Sequence, residues 1–516
     1  LFGSGAIGGV VNMVDGRIAE APVEGFGGRA ELHGNTVNNE RAGMVRLDAG
    51  NGAAAMHVDY VRRDGDDFDL PDGSLLNSAI DQKSGAAGAG YASDAGFLGV
   101  SFSRYDSLYG IPLGPSNAEP EAGEEAEEIR LDQEQTRVDL RGGIYSPWTW
   151  LDKLSFRFAD NDYEHVELAD GEVGTRFTND AWEGRIEAVH AGFGGWTGAF
   201  GYQASSRDFA AIGAEAFVPP TTTDDWGLFL IERREFEPFE LELGARYDSV
   251  ESETDTGLSS DHSPVSLSAA GLWRFSGAWH ASLNLDRAQR APVAEELYSD
   301  GPHEATGSFE IGAADLDQET ANQVEIGLHY HQGAIEAKVA AYYNRFNDFI
   351  YLAETGLEDP EEGLPIRLWS QDDAEFRGVE GELRWRFAEN ASGDWNLRAI
   401  GDLVEGELRD GAKLPRIAPA RLGAELNWDR GPWRAALGAI HYFEQDDVAE
   451  FEQPTSGFTL VDAHVSYAFA VGATEWEAFL DGTNLGDTEA RLHTSLLRDR
   501  SPVPGLGVQF GLRAFF

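Results

Sequence analysis

The last twelve residues, GLGVQFGLRAFF (505–516), decide the fold. Leu506, Val508, Phe510, Leu512, Ala514 and Phe516 fall on one side of an extended chain, with Gln509, Gly511 and Arg513 on the other. A period of two is the mark of a β-strand with one apolar and one polar face. The pattern recurs upstream. In FRGVEGELRWRF (376–387), Val379, Leu383, Trp385 and Phe387 oppose Glu380, Glu382, Arg384 and Arg386. In QVEIGLHYH (323–331), Val324, Ile326, Leu328 and Tyr330 oppose Glu325, His329 and His331, and in TLVDAHVSYAF (459–469) Val461, Val465 and Tyr467 oppose Asp462 and His464. Charges on the second face must meet water. A soluble sandwich would bury the oily face between two sheets; a membrane barrel would turn it to lipid and keep the polar face in its lumen.

The connections choose between the two. Short reversals such as AGNGA (49–53), FSGAW (275–279), YHQGA (330–334), WDRGP (428–432) and FAVGATE (469–475) alternate with polar loops of ten to thirty residues. Outer-membrane barrels sort their loops this way, with short periplasmic turns and long extracellular loops. Ten of the 13 tryptophans, at 148, 150, 196, 273, 279, 385, 395, 428, 433 and 476, lie within three residues of a short turn and read as an interfacial belt. Strands counted from about residue 25 number about 22, which predicts an all-β, transmembrane antiparallel barrel with a lumen wide enough to need a plug.

Composition agrees. At 516 residues with 42% hydrophobic content the chain has no apolar run of eighteen, so any membrane crossing is by strands. Glycine supplies 61 residues, above the usual ~7%, and gathers around turns and in alternating segments. The absence of Cys removes thiolate metal sites and Cys nucleophiles. A formal charge of -51 disfavours nucleic acid, which needs basic stripes, and makes cations the more plausible partners. No Gly-x-Ser-x-Gly elbow or His-Glu-x-x-His pair is present, so the expectation is a protein that is not an enzyme.

The opening segment LFGSGAIGGVVNMV (1–14) resembles the end of the plug domain of TonB-dependent outer-membrane receptors, through Phe2, Gly3, Ser4, Ala6, Ile7, Gly8, Gly9, Val10 and Asn12. Residues 287–320, RAQRAPVAEELYSDGPHEATGSFEIGAADLDQET, look like the Arg-Ala-Pro to Asn-Pro-x-Leu region of such receptors, with the last element altered to Ala314-Asp315-Leu316-Asp317. EAFVPPTTT from Glu215 and the stretch from Phe479 to Phe516 are similar to the ZnuD-like zinc receptors. The resemblance implies the end of a plug over 1–24, with the signal peptide, TonB box and rest of the plug upstream, and a barrel over 25–516. Glycines at 3, 8 and 9 would let this segment pack closely in a crowded lumen. Terminal Phe516, with Phe510 and Leu512, resembles the signal read by the barrel-assembly machinery.

As implied partners the resemblance gives TonB, outer-membrane lipid, that assembly machinery and a small ligand or metal ion, for a monomer in the bacterial outer membrane. It requires no resident cofactor. The expected cargo is Zn2+, with haem or a siderophore-type metal chelate as the alternative and a passive porin as the rival from another class. Zinc without Cys needs imidazole and carboxylate ligands. Candidates are Asp66, Asp67, Glu164, His165, His303 and His493, with Asp69, Glu167, Glu304, Asp446, Asp447 and the acidic tract from Glu119 as further loop carboxylates. His329 and His331 share the lumen face beside a short turn, which gives them a structural or transit role at the periplasmic rim.

Overall fold

The computed structural model describes residues 3, 5–115, 128–213, 216–303 and 305–516. Phe2, Ser4, Glu215, Glu304 and all of the acidic tract but Glu128 lie outside the described residues. Twenty-two antiparallel strands close into a barrel, the number the alternation predicts. Closure pairs the first strand, Val23–Asn35, with the last, Gly507–Phe515, from Arg29 opposite Phe515 to Asn35 opposite Gln509. Among the described residues no helix is long and apolar enough to cross a membrane.

The two faces separate as the zigzag requires. Leu506, Phe510, Leu512 and Phe516 are exposed on the outside, as are Val324, Ile326, Leu328, Val379, Trp385 and Phe387. Such a band of exposed large side chains has no place in water and matches the apolar girdle of a bilayer protein. On the inner face the charges meet one another. Arg513 Nε lies 2.9 Å from Glu31 across the closing seam, and Arg398 Nε donates to Glu382 at 2.7 Å.

The barrel's two ends are built differently. At the end carrying the carboxyl terminus, strands reverse within a few residues, as between Arg430 and Trp433 or Val471 and Thr474. Here Trp273 stacks on Phe239, Trp433 packs on Tyr467, and Trp148 and Trp150 lie ring to ring, so the tryptophan belt belongs to this rim. At the other end strands outrun the bilayer. Crossing takes about 9–11 residues, whereas Glu172–Phe193, Ile335–Glu358 and Pro365–Asn390 have 22, 24 and 26. The loops between them fold inward on a shared core of Phe177, Phe217, Val218, Leu297, Tyr298 and Ile350.

The Arg-Ala-Pro segment founds that core. Arg290 bridges Glu296 at 2.9 Å and Glu319 at 2.7 Å, while Ala291 and Leu297 are buried. A five-residue helix, Ala294–Tyr298, follows, its start held by the Val293 N–H donating to Glu296 at 2.9 Å.

The opening segment runs through the lumen. Gln323 donates to the carbonyl of Ile7 at 3.1 Å, Arg17 meets Asp59 at 3.2 Å and Tyr145 donates to the carbonyl of Glu20 at 3.2 Å. The barrel wall makes room with its own glycine: a Cβ on Gly88 would collide with the Arg17 carbonyl. The motif glycines behave otherwise than expected. Nothing lies within 4 Å of a Cβ built on Gly3, Gly8 or Gly9, and Gly8, Gly9 and Asn12 are exposed. What fits glycine at 3 and 9 is backbone conformation, with φ of 135° and 152°, rather than close packing.

Candidate functional site

Between the inward-folded loops lies a cavity of about 360 Å³ at the mouth opposite the tryptophan belt. Strands that continue past the bilayer supply its aromatic wall, with Phe349 and Tyr351 from one and Trp369 and Phe376 from the next. Loops supply the polar rim: His303 and Glu310 from the short hairpin Asp300–His303 with Ser308–Ile311, and Arg416 from KLPRIAP (413–419). The hairpin is fastened to the barrel by a parallel pairing, Phe309 opposite Ile366.

His303 stacks on Phe217 with ring centres 4.3 Å apart, and its Nδ1 sits 3.0 Å from Glu310 Oε1. Glu310 is deeply buried and also accepts from Thr306 Oγ1 at 2.7 Å and Trp369 Nε1 at 3.3 Å. Burial alone would raise its pKa, but the His303 and Thr306 hydrogen bonds outweigh that and hold the carboxyl below its usual value. The carboxylate therefore fixes the imidazole and leaves Nε2 with no hydrogen-bond partner among the described residues.

Arg416 is held the opposite way, by its backbone. It adopts φ 60°, uncommon for a residue with a side chain, and its N–H donates to Glu452 Oε1 at 2.9 Å. His493 Nε2 and Arg498 Nη1 grip the same oxygen at 3.3 and 3.2 Å. Burial again opposes ionisation, but the His493 bond, the Arg416 and Ala449 N–H groups and Arg498 bring the Glu452 pKa down to about 2. The Arg416 guanidinium is less well served. One nitrogen donates weakly to the Leu352 carbonyl at 3.4 Å, and buried Nη1 has no partner among the described residues. Burial and neighbouring Arg367 push its pKa down. A guanidinium with one buried, unpartnered nitrogen beside aromatic rings is chemically suited to an anion.

Three of the residues expected from sequence gather around this cavity, in unlike roles. His303 is on its rim. His165 stacks on Phe177 at 4.4 Å, and Phe177 lies 6.4 Å from Phe217, so it stands one aromatic layer behind His303. His493 is almost fully buried, with both ring nitrogens engaged by Thr455 and Glu452, and buttresses Arg416. The others are elsewhere. Asp67 accepts the N–H groups of Asn77, Ser78 and Ala79 at 3.3, 2.6 and 2.9 Å. Asp66 is exposed beside Asn39, and Glu164 pairs with Arg176 at 3.0 Å. Among the described residues no three His, Asp or Glu converge as ready metal ligands. Glu310, Trp369 and Arg416 escaped the sequence reading; Arg416 had one signal, the flanking Pro415 and Pro419 of a stiffened loop.

Closure at 22 strands, an oily outer band, an aromatic rim and a recessed site among long loops define an outer-membrane barrel of the receptor kind. The chain belongs to the family described as TonB dependent receptor-like, beta-barrel, whose model matches residues 36–485. It is 24% identical over 267 residues to the iron-regulated outer membrane virulence protein of Vibrio cholerae, a match covering 49% of this chain and 38% of that protein. The chain thus spans about two fifths of the curated relative it matches. Among solved structures it is similar to the copper transporter OprC, with a TM-score of 0.81 and 16% identity over 96% of this chain and 81% of that one. The FrpB iron transporter from Neisseria meningitidis gives 0.77 and 14% over 96% and 82%. The siderophore receptor PirA from Pseudomonas aeruginosa gives 0.69 and 16% over 100% and 84%. At these identities the likeness is one of fold.

Proposed function

We propose that this protein is an active importer that captures an anionic metal chelate of the siderophore type at its outer mouth and passes it to the periplasm, driven by TonB acting on the plug. The observation that carries the reading is the aromatic cavity with the unpaired Arg416 guanidinium on its rim. Flat aromatic walls suit the rings and apolar arms of a chelator, and a guanidinium suits the negative charge of its metal-bound oxygens. The solved relatives named for copper, iron and siderophores fit this class of cargo. Binding, loop closure and release need no catalytic group. The barrel-assembly machinery would insert the chain as a monomer, reading Phe510, Leu512 and Phe516.

Bare Zn2+ is the less supported cargo. His165, His303 and His493 stand in separate surroundings, and Asp67 and Glu164 are engaged elsewhere. A ZnuD-like assignment would need these side chains to regroup on binding.

Haem is a second reading, favoured by His303. A carboxylate on one imidazole nitrogen with the other unpartnered is the arrangement that orients a metal-ligating histidine. Titrating the purified protein with a ferric catecholate chelate, with haemin and with Zn2+ alone, followed by Trp fluorescence and haem absorbance, separates the three. Chelate binding weakened by Arg416→Ala and indifferent to His303→Ala is the expected result. Haem binding lost in His303→Ala would replace it, and tight Zn2+ binding at the mouth with no chelate binding would overturn it.

A further inference from the structure

A second group of histidines lies at the opposite end of the lumen. The strands Trp279–Arg290 and Glu319–Gln332 pair so that His280 faces His329, and His331 follows two residues on along the same face. The His280 and His329 rings are stacked 4.5 Å apart at 11°, and His331 lies 5.6 Å from His280. A His-x-His pair on one strand with a third imidazole directly across is a spacing from which three nitrogen donors can be turned towards one point.

These rings differ from three other histidines of the barrel wall. His57, His190 and His464 are each pinned to a carboxylate. No side-chain hydrogen bond holds His280, His329 or His331 among the described residues, so their turning breaks only ring contacts. There is room to do so, because His329 borders a lumen cavity of about 330 Å³. The nearby Lys338 is neutralised by Glu382 at 3.1 Å and does not repel an incoming cation.

The geometry points to a three-histidine binding site for a borderline divalent transition-metal ion, Zn2+, Ni2+ or Cu2+, at the periplasmic mouth of the lumen. All three metals accept imidazole readily. Stacked as they are, the rings do not form a ready ligand set; each must rotate to present one nitrogen, and water completes the coordination. The rotation is a side-chain movement that needs no change of strand register. Only the site's place on an exit path rests on the transport reading; the metal chemistry does not.

The test uses the full chain, purified in detergent and stripped with EDTA. Equilibrium dialysis against Zn2+ should find a site that weakens about tenfold or more in His280→Ala or His329→Ala, at least the loss that removing an outer-shell partner brings. It should vanish in the triple alanine variant. The Cu2+ electron paramagnetic resonance spectrum of the parent should carry nitrogen couplings that the triple variant lacks. Equal stoichiometry and affinity in parent and triple variant, or an all-oxygen copper spectrum, overturns the site. Heat-modified gel mobility reports folding of each variant, and glutamine in place of alanine serves where alanine misfolds. Arg416→Ala should leave this binding intact, so failure here and failure of the chelate cavity are read separately.

Discussion

The two rims of this barrel are made from the same strands yet are held by different forces. At the periplasmic rim the strands turn back within a few residues and the surface is finished with tryptophans stacked on neighbouring rings. At the outer rim the strands continue past the bilayer, and the loops are tied by buried charges such as Glu452 with His493 and Arg498 or Arg290 with Glu296 and Glu319. A rim that meets lipid headgroups needs only amphipathic rings. A rim that must hold a cavity open in water needs directional contacts, and these are costly to break because a partner is left buried and unpaired.

That contrast can be broken most strongly at Glu452. Glu452→Ala should loosen loops 443–457 and 484–506 by about 3–5 kcal/mol, seen as lost hydrogen-exchange protection there while the barrel strands stay protected. The same contact gives a pH dependence. Because the folded-state pKa is lowered from 4.5 to about 2, its contribution is complete above pH 4.5 and is lost as the pH falls through 2. Acid should therefore open the outer loops first, with the reverse order counting against the contrast.

In the band between the rims, Leu228→Arg should cost about 2–4 kcal/mol of insertion free energy, measured by folding into vesicles. Leu228 is exposed on the outer, apolar face of its strand. At the cavity, Arg416→Ala should weaken a ferric catecholate chelate by about 1.5–3 kcal/mol, the worth of hydrogen bonds to a charged group, measured by fluorescence titration. At the inner rim, Trp433→Ala should lose only about 0.5–1.5 kcal/mol for its pairing with Tyr467. A larger loss there than at Glu452 would mean the two rims are not built on different principles.

Much of the barrel was legible because each strand carries its own evidence. Alternation at Val324, Ile326 and Leu328 names the outward face whatever the neighbouring strand is, and the strand number follows by counting. Boundaries on the outer side were less legible. Alternation around 376–387 marks the strand's membrane part, while its start at Pro365 lies in the extension that answers to loops rather than to lipid. The site was legible only in part. His303 was singled out from its place in the Arg-Ala-Pro region, but Glu310, Trp369 and Arg416 surround it from segments remote in sequence. His493 was expected as a ligand and stands instead as a buried support. The pair His329 and His331 could be read from spacing, whereas His280 joins them only through strand register.

Sequence alone determined which side of each strand is oily, how many strands there are and which rim carries the tryptophans, because these depend on short-range periodicity that every strand states for itself. Tertiary structure alone decided which loop side chains meet, which carboxylates are consumed by backbone N–H groups and where a cation is left unpaired. Those outcomes depend on closure of the sheet and on loops folding back over its mouth, and they bring together residues whose separation along the chain encodes nothing about their distance in space.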